Sequence, residues 1–170
     1  MPSMLIISES LALLASGLFA GAALYISFVE HPARMSCGTR LAITEFAPSY
    51  QRGTVMQASL AALGTLSAIA AWLLGASSLW LTGGLLLGAV IPFTLIVILP
   101  TNKRLLDPSL DKNSALAQRL LQRWATLHAV RTALSLASFL TFLYAAIGVS
   151  ASVLSLRHAN GVLLLNRLLS

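Results

Sequence analysis

The chain has 170 residues, 57% hydrophobic and only 9% charged, against about 25% charged in a typical soluble domain. It lacks the polar residues to cover a water-facing surface and reads as one integral membrane domain. The net charge of +6 comes from basic residues spread singly, without interleaved aromatics, so orientation and lipid headgroups account for it and nucleic acid does not.

A bilayer core of about 30 Å takes about 20 apolar residues per helix, and four stretches qualify: 4–29, 55–74, 79–99 and 129–149. The first, from Met4 to Val29, has Glu9 as its one charged residue and no Lys or Arg before it. It lacks the basic start of a signal peptide and exceeds the usual apolar length, so a mature helix is expected. Gly17 and Gly21 lie four apart on one face, a spacing that lets helix backbones approach closely in lipid. The run closes on "FVEHPARM", where Glu30 and His31 arrive together ahead of Pro32. The proline disfavours helical geometry at His31. Helix 1 is therefore expected to end there, with the imidazole free to turn inward. The single cysteine, Cys37, follows; it excludes an intramolecular disulfide, a CxxC pair and an iron–sulfur pattern, and reads as a loop thiol.

Residues Thr39–Arg52 predict a short interfacial helix disturbed by Pro48, and helix 2 then begins with Gln57 one turn inside. After the Gly75–Ser78 turn, helix 3 carries Gly84 and Gly88, again at packing distance, and Pro92. The missing N–H and bulky ring of Pro92 predict a kink, leaving the carbonyl of Gly88 to a side chain or a water. Pro100 and Thr101 break the span. Asn113 or Ser114 suits an N-cap, and from Ala115 the pattern stays helical without a breaker to about Gly148. Leu116, Leu120, Leu121, Trp124 and Leu127 form an apolar stripe there, with Gln118, Arg119, Gln122 and Arg123 opposite. Helix 4 is thus expected to be long, starting in the cytoplasm and running into the membrane. The fold class is all-α, an integral membrane four-helix bundle over 1–150. Residues 151–170 form a weakly amphipathic tail with no assigned role.

The connections 30–54 and 100–128 hold Arg34, Arg40 and Arg52, and Lys103, Arg104, Lys112, Arg119 and Arg123; the N-terminus and the Gly75–Ser78 turn hold no basic residue. By the positive-inside rule both long connections are cytoplasmic and both termini lie on the other side. Glu30, His31, Gln57, Asn102, Trp124, His128 and Arg131 then gather at one depth, from distant parts of the chain. Trp124 and His128 are i,i+4 and His128 and Arg131 i,i+3, so the three share one face of helix 4. A buried guanidinium needs an anion, and Glu30 is the nearest in depth to Arg131. Taken singly, any of these residues could merely anchor a helix in the headgroups; together they mark a pocket, since ionisable groups inside a bundle are expensive.

There is no serine with a His/Asp partner, no GxGxxG or phosphate loop and no HExxH. Three metal ligands could come only from His31, His128 and Glu30, at a spacing that matches no known motif. A b-type haem would take two His facing each other across the bundle mid-plane, whereas both lie near one end. What remains is a mostly apolar pocket with a polar end, able to hold an aromatic molecule, in which a His near neutrality takes a proton.

The stretches "GLFAGAALYISFVEHPARM", "FAPSYQRGTVMQASLAALG", "LPTNKRLL" and "RWATLHAVRTALSLASF" resemble the anthrone oxygenase family of small four-helix membrane proteins, over about residues 17–142. The resemblance implies oxidation of an anthrone-like aromatic to a quinone with molecular oxygen as co-substrate and no flavin, haem or metal cofactor, in a bacterial inner membrane. The motif residues carried over are Glu30, His31, Gln57, Asn102, Trp124, His128 and Arg131. His31 is expected to be the base and His128 to hold substrate or oxyanion. Arg131 and Asn102 would stabilise the oxyanion, and Glu30 or Asn102 would orient the base. Trp124, Gln57 and Tyr25 are assigned to substrate binding, with Trp124 stacking on the rings. Two other readings stay open: a protein that binds or helps transport a hydrophobic ligand without turning it over, and a metal-dependent redox enzyme. The expected partners are a hydrophobic aromatic small molecule and membrane lipids.

Overall fold

In the computed structural model, the backbone is described for residues 2–168 and the side chains for residues 2–148. Four helices are long and apolar enough to cross a membrane: α1 (Pro2–Ser36), α2 (Thr39–Leu73), α3 (Ser78–Leu105) and α4, whose span Ala115–Gly148 belongs to a helix drawn to Leu168. No strand occurs among the described residues. Each helix packs against its two sequence neighbours, and α4 closes the ring on α1; the diagonal pairs barely touch. The protein is an all-α integral membrane bundle. The side chains of the tail lie outside the described residues.

Two boundaries differ from the sequence expectation. Helix 1 does not end at Glu30; it runs through His31 and Pro32 to Ser36, and His31 keeps helical angles (φ −66°, ψ −45°). The interfacial helix and helix 2 are one element, with Pro48 inside it on an exposed face. The expected 30–54 connection therefore shrinks to Cys37, whose free thiol is exposed, and Gly38, whose φ of 91° suits a residue without a Cβ.

Two of the helix prolines, Pro32 and Pro100, are accommodated because the chain widens just before them. Residues Ile26–Glu30 and Thr94–Ile98 form single π-turns, in which the N–H of His31 bonds the carbonyl of Ile26 and that of Leu99 bonds Thr94. Each turn stops two residues short of a proline, Pro32 or Pro100. A proline ring collides with the carbonyl four residues back, and the wide turn moves that carbonyl aside. The extra residue turns everything downstream by about 100°. Pro92 sits within the α-helical part of α3, and the departure from α geometry falls after it, at Thr94–Ile98.

Small residues set the helix spacing, as in other membrane bundles. A Cβ on Gly83 would meet the Phe142 ring at 2.4 Å, and one on Gly64 would meet Leu87 at 2.6 Å. Gly84 and Gly88 face Ala68 and Thr65, and Gly17 faces Phe139, as the spacing predicted; Gly21 faces open space instead. The carbonyl of Gly83 accepts a 2.7 Å hydrogen bond from Ser138. At the start of α4, Ser114 caps the helix by accepting from the N–H of Ala117 at 3.1 Å. In the loop before it, Ser109 donates through its hydroxyl and its N–H to Asp107, which holds that carboxyl below its ordinary range.

Candidate functional site

The π-turns decide which side chains enter the bundle. On α1, Glu30 and Arg34 line a cavity of about 30 Å³, and on α3 Asn102, two residues beyond Pro100, joins them. α2 contributes Ser49, Tyr50 and Gln57, and α4 presents Trp124, His128 and Arg131 on one face, as their spacing predicted. The volume holds about two waters.

The ion pairing corrects the sequence reading. Glu30 binds Arg34, not Arg131: the two are i,i+4 on α1, a neighbourhood that exists because the helix continues past Pro32. Ser49 donates to the same carboxylate at 2.7 Å, and Arg34 Nε lies 2.8 Å from Glu45 as an ion pair without hydrogen-bond alignment. Arg131 reaches α2 instead, donating from Nη2 to Gln57 Oε1 at 2.8 Å with its guanidinium 5.5 Å from the Phe19 ring centre. Among the described residues no carboxylate is within ion-pair distance of Arg131.

His128, 2% exposed, is anchored through Nδ1. Ser27 Oγ lies 3.1 Å from that nitrogen and 2.9 Å from Thr132 Oγ1, and Thr132 Oγ1 is 3.1 Å from the carbonyl of His128 and 3.3 Å from that of Ala23. A carbonyl only accepts, so Thr132 donates to it; Ser27 then donates to Thr132, and His128 Nδ1–H donates to Ser27. With the single Thr132 hydrogen shared between the two carbonyls, this assignment from the network leaves Nε2 with its lone pair.

His31 is placed differently. It is buried but does not line the cavity; its ring lies 5.3 Å from that of Trp124, and its Nδ1 has no partner. Trp124 is packed on several sides, by His128 at 4.8 Å, by Phe46 edge-on at 5.4 Å and by the Arg34 guanidinium at 5.8 Å. It serves as a wall, with little ring face left for a ligand. Tyr25 is exposed and points away from the cavity, so the bundle does not bring it to the other candidates. His31, His128 and Glu30 do not converge as ligands either: among the described residues no three His, Cys, Asp or Glu side chains are grouped to hold a metal ion.

Four of the expected residues carry buried polar atoms without a partner: His31 Nδ1, Gln57 Nε2, Asn102 Oδ1 and Arg131 Nε. Such atoms cost about 1–3 kcal/mol each when left unmade; three of them, on Gln57, Asn102 and Arg131, belong to residues that line the cavity, which makes it the candidate place for polar groups of a ligand or water. Sequence reasoning missed Ser27, Arg34, Ser49 and Thr132. Arg34 and Thr132 could have been found as i+4 partners of Glu30 and His128; Ser27 and Ser49 carry no local signal, since their partners come from other helices.

Compared with known families, residues 46–141 match the family model described as anthrone oxygenase. No curated protein and no solved structure matches the chain.

Proposed function

This chain belongs to the anthrone oxygenase family, and from that premise we propose that it oxidises an anthrone-type fused-ring aromatic to the quinone with molecular oxygen. The observation that carries the chemistry is the anchoring of His128 through Nδ1, which leaves Nε2 as an acceptor beside unpartnered polar atoms on Gln57 and Arg131. His128 rather than His31 is the base in this reading, because it lines the cavity and His31 does not.

An anthrone C10–H is acidic because its anion is an aromatic anthranolate. His128 Nε2 takes that proton. The anion passes one electron to oxygen, and the two radicals combine at C10 as a peroxide, which takes a proton back from the imidazolium. Loss of the second C10 proton with expulsion of hydroxide gives the carbonyl, so anthrone and O2 become anthraquinone and water. The anthranolate oxygen carries the developing charge. Gln57 Nε2 is a donor for it, since Oε1 is already committed to a guanidinium that only donates, and Arg131 is the second. The step requires the neutral imidazole, whose Nε2 lone pair takes the proton.

The reading is tested by supplying anthrone to membranes containing the protein and following oxygen uptake with quinone absorbance. One mole of quinone per mole of oxygen supports it; a bound aromatic without oxygen uptake makes the protein a ligand carrier. We place the α1–α2 and α3–α4 connections in the cytoplasm of a bacterial inner membrane, because Arg34, Arg40, Lys103, Arg104 and Lys112 gather at that end. In a Cys37→Ser background, Ser77→Cys and Ser109→Cys should label from opposite sides.

A further inference from the structure

A second cavity, of about 110 Å³, lies between α2 and α3, walled by Ala58 and Ala61 on one helix and Ile91 and Leu95 on the other, with Phe19 of α1 also lining it. Ala58, Ile91 and Leu95 are exposed on the outside of the bundle, where a bilayer surrounds it. Gln57 lies about 24 Å along α2 from its Leu73 end, within the thickness of a hydrocarbon core of about 30 Å. This cleft shares three lining residues with the polar cavity: Thr54, Gln57 and Arg131. The 2.8 Å bond between Arg131 and Gln57 therefore stands as a partition between an apolar chamber and a polar one.

The partition is itself unfinished. Gln57 is 3% exposed, its Oε1 is taken by Arg131, and its Nε2 donates to nothing; Arg131 Nε is likewise unpartnered. Two buried donors at the junction want an acceptor oxygen. The chamber beside them is apolar apart from Thr54 and Thr94, and neither hydroxyl accepts from these two donors. A ligand that satisfies both has fused apolar rings and one carbonyl or phenolate oxygen at its edge. A lipid acyl chain fills the cleft equally well but brings no oxygen to this depth. The two cavities even when joined fall short of the roughly 300 Å³ of a small-molecule site, so occupation requires the partition to open and the α2 and α3 walls to spread.

We propose that the α2–α3 cleft is a lateral binding site through which a fused-ring aromatic carbonyl or phenol enters from the bilayer, its oxygen received by Gln57 and Arg131. The ligand class rests on the oxygenase reading; the site and its direction of entry do not require turnover. Apolar aromatics concentrate in the hydrocarbon region, so a doorway there spares them a passage through water.

The test is equilibrium binding of 9,10-anthraquinone and of anthracene, which has the rings without the oxygen, to the full chain in phosphatidylcholine nanodiscs. Ala58→Trp fills the cleft from an exposed position, Gln57→Leu removes the donor, and Leu14→Trp places the same bulk on an exposed site of α1. Ala58→Trp should weaken both probes by about tenfold or more. Gln57→Leu should weaken anthraquinone by about three- to tenfold, the value of one hydrogen bond, and leave anthracene unchanged. Leu14→Trp should change neither. Wild-type binding by Ala58→Trp overturns the proposal and leaves the cleft to acyl chains. Equal weakening by Leu14→Trp, or no binding of either probe to the unsubstituted protein, overturns it too. Cleft-dependent binding without oxygen uptake sinks the oxygenase reading alone, and undiminished turnover by Ala58→Trp sinks this proposal alone.

Discussion

Near the Gly75 turn, the bundle is closed by interlocking small and aromatic residues. Ala12, Ala68, Ala71 and Ala145 surround Trp80 and Phe142, whose rings stack at 5.1 Å, and Gly83 lets α3 lie directly on Phe142. The only buried polar atom left unpaired in that cluster, among the described residues, is the indole N–H of Trp80. Toward the other end the same four helices part around Gln57, His128 and Arg131 and leave several polar atoms without partners. Beyond that gap they close again on Phe46, Ile98, Leu105 and Leu121. The difference teaches where this protein spends its stability: two packed collars hold a gap that would not assemble by itself.

The sharpest way to break the comparison is at His128. Replacing it with alanine should lower turnover per folded molecule by about 10²–10⁴-fold, whereas His31→Ala, behind Trp124, should have a much smaller effect on turnover. Quinone formation in matched membranes measures both, and equal losses would return His31 to the cavity. Next is the Glu30–Arg34 pair, where Glu30→Gln leaves a guanidinium of 5% exposure without its nearest anion. A loss of about 3 kcal/mol is expected, read as thermal stability in detergent.

At the packed collar, Gly83→Val should cost about 1–3 kcal/mol by overpacking against Phe142 while turnover per folded molecule stays as it was. If turnover falls as steeply as stability, the collar and the gap are one cooperative unit and the contrast fails. The smallest effect belongs to Glu45, whose side chain is 45% exposed. Glu45→Gln should change stability by under about 1 kcal/mol, and a larger loss would mean that Arg34 relies on it more than on Glu30.

Much of the bundle was legible from hydropathy alone, because a bilayer imposes its thickness on every span. The face of α4 was legible as well: Trp124, His128 and Arg131 sit at spacings that only a helix brings together. The partner of Arg131 was not. Depth pointed to Glu30, but in the folded chain Glu30 is claimed by a residue one turn away, and the sequence had been read as ending the helix before that turn. His31 does lie inward, but against Trp124 and outside the cavity lining. A proline read by its usual rule breaks a helix; here Pro32 follows a π-turn, and nothing local in "YISFVE" announces one. The polar end of Gln57 that stays free could not be read either, since it depends on which atom a residue 74 positions away has taken.

Each π-turn is, in effect, one residue more than a regular helix requires. The pocket is therefore addressed by counting. Arg34 and Asn102 each stand four residues beyond the end of their wide turn and two beyond its proline. A relative one residue shorter between Ile26 and Glu30 would keep the four spans, the glycine contacts and the collar, yet its Glu30 and Arg34 equivalents would be swung by about 100° toward the lipid. Such a chain would look like kin by hydropathy and by most of its residues while lacking the chamber wall. A single codon, gained or lost in an otherwise featureless apolar run, is enough to separate a scaffold from a site.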